Sequence, residues 1–187
     1  AQRKAEDVSL PGRLAFHVGY ARDLHATLAG EQYAPFDGGY SSFALSYEGD
    51  LEKIREGLAR HLRPRSVFLA SAMNRFNGPE WALAIGSLHP WLSGRRLGPA
   101  TAHKVGPVQT AVYCRSPAEL RRAFAPGFTL ERLRGLPVLL PPHYANRPLL
   151  RWPSLLASLS RLDAQIGECP VLRSLGDHNV VWFRRSD

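Results

Sequence analysis

Phe36-Asp37-Gly38-Gly39-Tyr40-Ser41-Ser42-Phe43 opens the stretch that decides the fold. Behind it come an amphipathic segment from Asp50 to Leu62, then Leu62-Arg63-Pro64 and Val67-Phe68-Leu69-Ala70. The order reads strand, polar turn, helix, strand. Asp50 is a good helix N-cap, Glu52 lies in the first turn, and Arg60 and His61 lie in the last, as the helix dipole favours. Leu51, Ile54, Leu58 and Leu62 recur at helical spacing, and Pro64 stops the helix. Val67 to Ala72 is apolar but for Ser71, as a strand covered on both faces should be. In an open α/β sheet ligands bind beyond the carboxyl ends of the strands, so Tyr40 to Phe43 mark a binding edge.

Working outward, Leu14 to Val18 reads as a short strand ending in Gly19-Tyr20. Ala21 to Leu28 reads as a short helix with Leu24 and Leu28 on one face. Met73 to Gly106 breaks the alternation with Pro79, Pro90, Pro99, Trp81 and Trp91, and is too aromatic for a solvated linker. Val108 to Tyr113 alternates as a strand. Ser116-Pro117-Ala118-Glu119 combines a serine cap, proline at the first helical position and a glutamate placed for a capping box. Leu120 and Phe124 should face inward, and Pro126-Gly127 ends that helix. Phe128 to Leu133 is a further strand, and Pro137 to Pro153 a second irregular excursion. Leu155, Leu156, Leu159, Leu162 and Ile166 mark a last helix, and Val180 to Phe183 a last strand. The expected core comprises Phe16, Val18, Leu58, Leu62, Val67, Leu69, Leu120, Phe124, Val181 and Phe183.

The 187 residues suit one domain with a real core, and 44% hydrophobic content is ordinary for a globular chain. No apolar run approaches a membrane span, and the charged N-terminus lacks a signal peptide's apolar stretch, so the expectation is a soluble cytoplasmic protein. Cys114 and Cys169 stand apart and read as two free buried thiols. The net charge of +8 is carried mostly by arginine and favours a polyanionic partner. The pairs Arg95-Arg96, Arg121-Arg122, Arg132/Arg134 and Arg184-Arg185 are scattered, which makes nucleic acid a less favoured partner. The seven histidines form no H-x-H or H-E-x-x-H, which disfavours a metal site.

The succession from Leu14 to the C-terminus resembles the class I S-adenosylmethionine-dependent methyltransferases. The resemblance implies an α/β, Rossmann-like sheet, mainly parallel with an antiparallel end strand, in a single domain over 1–187 with cap excursions at about 73–106 and 137–153. By similarity, Gly19, Tyr20 and Ala21 correspond to the turn that holds the adenine of S-adenosylmethionine. Tyr40, Ser41, Ser42 and Phe43 correspond to the turn beside its methionine and departing methyl group. Three departures stand against the family pattern. The glycine-rich loop is absent, since no two glycines are separated by a single residue, and that loop lets backbone meet the cofactor closely. The expectation is therefore a form lacking the N-terminal strands, with weak cofactor binding. Tyr20 stands where the adenine-binding acid belongs, and Arg65-Ser66 where a glycine pair belongs.

Methyl transfer needs alignment more than acid–base equipment, and a base only where the acceptor loses a proton. His143 and Tyr144, between prolines, are the first candidates for that role. Asn74, Arg75 and Trp81, just past a strand end, are candidates for the acceptor side, whether the acceptor is a small molecule or a macromolecule. Asp177-His178 looks like half of a catalytic pair, but adjacent residues entering a strand point to opposite faces and do not readily bond each other. An alternative reading is a non-catalytic relative, a basic module for nucleic acid or a protein partner. Bare strand edges at Leu14–Val18 and Phe36–Tyr40 would favour a homodimer.

Overall fold

A computed structural model describes residues 15–29, 35–86, 94–105, 107–141 and 147–187. Strand β1 (Phe36–Ser41) is followed by helix α2 (Leu51–His61) and the long strand β2 (Leu62–Met73), with a short helix α1 (Leu24–Leu28) ahead of them. Helix α3 (Gly78–Gly86), strands β3 (Thr101–Val105) and β4 (Val108–Val112), and helix α4 (Pro117–Phe124) come next. Strand β5 (Phe128–Leu136), helix α5 (Pro153–Ile166) and strand β6 (His178–Arg185) complete the order. Four strands form one sheet in the order β1-β2-β6-β5. β1 runs parallel to β2, with Ser41 opposite Ala70, and β6 runs antiparallel to both β2 and β5. Three strands thus share a direction. The reversed one is last in the chain yet interior to the sheet.

The helices form where the sequence caps them. Asp50 Oδ1 accepts the Glu52 and Lys53 amides at 3.1 and 3.2 Å. Ser116 and Glu119 close a capping box around the start of α4. Both helices pack on one sheet face, where Leu51, Ile54, Leu58, Leu120 and Phe124 meet Phe68, Ala70, Leu133, Val181 and Phe183. Phe124 stacks on Phe183 at 4.6 Å and meets Phe68 and Phe128 at 5.9 Å. Burying each such side chain contributes roughly 1.5–3 kcal/mol. Val67, Leu69, Val180 and Trp182 point to the opposite, half-buried face, as alternation requires.

The structure corrects four expectations. Residues 15–20 form no strand, and Phe16 (47% exposed) and Val18 (fully exposed) are not core. A strand exists by pairing, and these residues join no sheet; β1 likewise has no neighbouring strand on its outer edge among the described residues. β4 does alternate, but it pairs with β3 as a separate hairpin, so the first excursion runs on to Val112. Cys114 is buried but Cys169 is exposed, and both are free. Val67 and Leu69, expected in the core, are only half-buried on the sheet's other face. Arg65 has a φ of 66°, the left-handed region that glycine adopts readily, at the position where the resemblance placed a glycine. Among the described residues no helix is long and apolar enough to cross a membrane.

Candidate functional site

At the carboxyl end of β1 the chain turns sharply, with Phe43 at a φ of 57°. Two bonds tie this turn to β2: the Phe43 amide donates to Ser71 Oγ at 3.0 Å, and the Met73 amide donates to Ser46 Oγ at 2.8 Å. Ser41 Oγ, at the last β1 position, is buried with no hydrogen-bond partner. A buried, unsatisfied hydroxyl costs about 1–3 kcal/mol, so a polar ligand atom reaching it would recover that loss. Tyr40 (70% exposed) and Phe43 (38% exposed) present aromatic surface on either side.

His178 faces the same turn. It opens β6 and lies opposite Met73 of β2 and Leu136 of β5, so it sits at the carboxyl ends of both strands. Its ring meets Phe43 edge-to-face with centroids 4.7 Å apart. Its Nδ1 is 3.2 Å from the Leu136 carbonyl and 3.2 Å from Asp177 Oδ2. The ring's hydrogen bond goes to the Leu136 carbonyl, and Asp177 comes within ion-pair distance of it, closer than alternation along a strand would bring it. β6 begins at His178, so Asp177 belongs to the preceding bend and its side chain is not committed to the opposite face. Burial pushes the imidazole below its ordinary value near 6.5, and Arg96 pushes the same way. Asp177 and the Leu136 carbonyl oppose them without cancelling the shift.

Behind Asp177 lies a buried ion-pair network. Arg96 reaches Asp177 Oδ1 at 2.5 Å and Glu80 Oε2 at 2.9 Å, and Arg95 reaches Glu80 Oε1 at 2.7 Å. Asn77 Nδ2 donates to Asp177 Oδ1 at 2.6 Å. Asn74 is fully buried, and its Nδ2 lies 2.7, 2.8 and 2.8 Å from the carbonyls of Phe76, Ser174 and Gly176. That leaves it no donor for a substrate; it fixes the loop past β2.

Arg75, the next residue, does face a cavity. The opening holds about 540 Å³ between the starts of α2 and α4, lined by Asp50, Glu52, Arg75, Tyr113, Arg115 and Glu119 among others. Arg75 is paired with Glu119 at 3.0 Å. Burial acts to raise the Glu119 carboxyl, yet the Ser116 amide and hydroxyl, then Arg75 and Arg115, hold it below its ordinary value. Arg115 donates to the Leu45 carbonyl at 2.6 Å and to the Glu48 carbonyl, so burial lowers its guanidinium while backbone absorbs its donors.

The remaining sequence candidates are dispersed. Gly19 and Tyr20 lead into α1, with Gly19 close to Thr27, and Ala21 packs against the core; Arg22 pairs with Glu48 at 3.1 Å and lies over the Tyr20 ring. Among the described residues no hydrogen bond or ring contact joins them to Tyr40–Phe43. Trp81, on α3, meets Phe76 edge-to-face at 6.0 Å. His143, Tyr144 and Trp91 lie outside the described residues. Sequence reasoning passed over Asp177, Arg96 and Glu80 as site groups; an adjacent acid and histidine at a strand start was the one available signal. Among the described residues no cluster of three or more His, Cys, Asp or Glu could hold a metal ion.

No protein-family model and no curated protein sequence matches the chain. Solved structures do. A Listeria monocytogenes protein assigned as an S-adenosylmethionine-dependent methyltransferase superposes with a TM-score of 0.56 at 9% identity, over 100% of this chain and 76% of that one. The [4+2]-cyclase SpnF superposes with a TM-score of 0.52 at 12% identity, over 99% of this chain and 60% of that one. The fold is that of the class I methyltransferases, with β1, β2, β6 and β5 as neighbouring strands of its sheet.

Proposed function

We propose that this chain carries the methyl-transfer side of an S-adenosylmethionine-dependent methyltransferase. The observation that supports this best is the unpartnered, buried Ser41 hydroxyl at the end of β1, between Tyr40 and Phe43. These residues fit the methionine end of the cofactor: one unsatisfied hydroxyl and two exposed aromatic side chains at a strand end. Ser42 continues that rim. When bound, the cofactor supplies a methyl group already activated on a sulfonium. The protein then has to align the acceptor and keep water out. Among the described residues there is no glycine loop or ribose-binding acid, and no hydrogen bond or ring contact joins Gly19–Ala21 to Tyr40–Phe43, so weak binding of the cofactor is expected.

Arg75 and Trp81 are proposed to border the acceptor, with His143 and Tyr144, outside the described residues, as further acceptor-side candidates. Arg75 already has Glu119 as a partner, so an anionic acceptor group would have to share or displace that carboxylate. Of the arginine pairs, the reading as a basic nucleic-acid module keeps Arg121-Arg122, exposed on α4, because the others are engaged. Arg95 and Arg96 are held by Glu80, Arg132 by Glu168, Arg184 by Glu131 and Arg185 by the Leu62 carbonyl.

Thermal melting against S-adenosylhomocysteine tests the proposal. A ligand at about 100 times its dissociation constant stabilises a fold by about 2.7 kcal/mol. The melting temperature should rise only at high ligand concentration, and less in Ser41→Ala. A flat response up to the solubility limit overturns the reading.

A further inference from the structure

The imidazole of His178 has a fixed orientation and an unused nitrogen. Nδ1 faces two acceptors, the Leu136 carbonyl and the Asp177 carboxylate, each at 3.2 Å. An atom held between two acceptors must carry the hydrogen, which places the lone pair of the neutral ring on Nε2. Among the described residues no hydrogen-bond partner takes Nε2. The ring stands against Phe43, on the turn that closes β1. We propose that His178 is the base that accepts the acceptor's proton during methyl transfer, with Asp177 as its positioning residue. This rests on the methyltransferase reading above.

The surroundings are those an acid–base group requires. A base within reach of substrate, itself oriented by a third group, is the common arrangement in proton-transfer sites. Asp177 cannot swing away, because Arg96 and Asn77 hold its Oδ1 at 2.5 and 2.6 Å while Oδ2 faces the histidine. The groups facing His178 are Asp177 from the preceding bend, Arg96 from the segment after α3, the Leu136 carbonyl from β5 and the Phe43 ring from the turn after β1. Burial and Arg96 lower the ring's pKa and so favour the unprotonated form that can accept a proton.

A base at this place selects the acceptor. A carboxylate or a tertiary amine accepts a methyl group without losing a proton, whereas a hydroxyl of phenol or enol type must shed one. In the step, the acceptor oxygen's lone pair bonds to the methyl carbon and the carbon–sulfur pair returns to sulfur. The hydroxyl proton passes to Nε2. The resulting imidazolium, stabilised by Asp177, then releases that proton to water. The acceptor class is therefore a compound that sheds a proton on methylation, such as an acidic hydroxyl of phenol or enol type.

Long-range proton–nitrogen NMR on the wild-type protein tests this, with the His178 signals identified by their loss in His178→Gln. Near neutral pH the ring should be neutral with its hydrogen on Nδ1. Added S-adenosylhomocysteine should move the Nε2 resonance together with the Tyr40–Phe43 amides. Asp177→Asn should reduce the share of the Nδ1–H form and lower the ring's pKa further. A ring carrying its hydrogen on Nε2 overturns the proposal without any variant. Amides that move while Nε2 stays fixed overturn the base and leave the cofactor reading intact. Amides that stay fixed overturn the cofactor reading and the base with it.

Discussion

Phe43 and His178 meet edge-to-face, their ring centroids 4.7 Å apart and their planes at 75°. They come from positions far apart in the chain, one closing β1 and the other opening β6. The contact covers the imidazole, and burial is the largest cause of its lowered pKa. Phe43→Ala should therefore raise the His178 pKa toward 6.5, read by NMR titration. An unchanged or lower value would mean that Phe43 does not shield the ring.

Phe124 is central to the aromatic cluster, stacked on Phe183 and touching Phe68 and Phe128. Phe124→Ala should cost about 3–5 kcal/mol in urea unfolding. Phe16→Ala and Val18→Ala, at exposed positions, should stay within about 0.5 kcal/mol. Equal losses at Phe16 and Phe124 would contradict the placement of the core.

The pH dependence follows from His178. Its folded pKa lies below the ordinary value, so on acidification the unfolded chain takes up a proton that the folded chain resists. Its contribution should be fully present above about pH 6.5 and fall as pH drops from there toward the folded pKa. His61 is lowered too, first by burial and then by His25 and Arg60, and adds to the same slope. His178→Gln should flatten the stability-against-pH curve in that window. An equally steep curve in the variant would assign the slope elsewhere.

Much of this was legible in the sequence because it is local. The cap at Asp50, the Ser116–Glu119 box and the apolar spacing of α2 act within a few residues. They predict elements that the structure contains. Strand partners are not local. Leu14–Val18 and Val108–Tyr113 carry similar strand patterns, yet the described part of the first joins no sheet and the second forms a hairpin outside the main sheet. The site was legible as far as Tyr40–Phe43, since a strand end locates it. Asp177 and His178 were judged by alternation, which does not bind a residue lying before the strand. Nothing in a sequence shows that Arg96 and Glu80, ordinary surface residue types, are buried together.

Arg65 lies in the left-handed region, at a φ of 66°, with an exposed side chain paired to the equally exposed Asp187. Such a conformation costs a non-glycine residue about 1–3 kcal/mol, while an exposed ion pair returns little. Arg65→Gly should raise stability by up to about 1 kcal/mol, net of glycine's greater freedom when unfolded. Chemical denaturation measures it. A destabilised variant would show that the Asp187 pair outweighs the backbone strain.

The central claim is that the turn after β1 holds the cofactor's reactive end. Ultraviolet cross-linking with methyl-labelled S-adenosylmethionine, followed by peptide mapping, tests it most directly. The account predicts label on the peptide containing Tyr40–Phe43, diminished by excess S-adenosylhomocysteine. Label confined to the Asp50–Arg115 cavity, or incorporation that excess S-adenosylhomocysteine does not reduce, would contradict it.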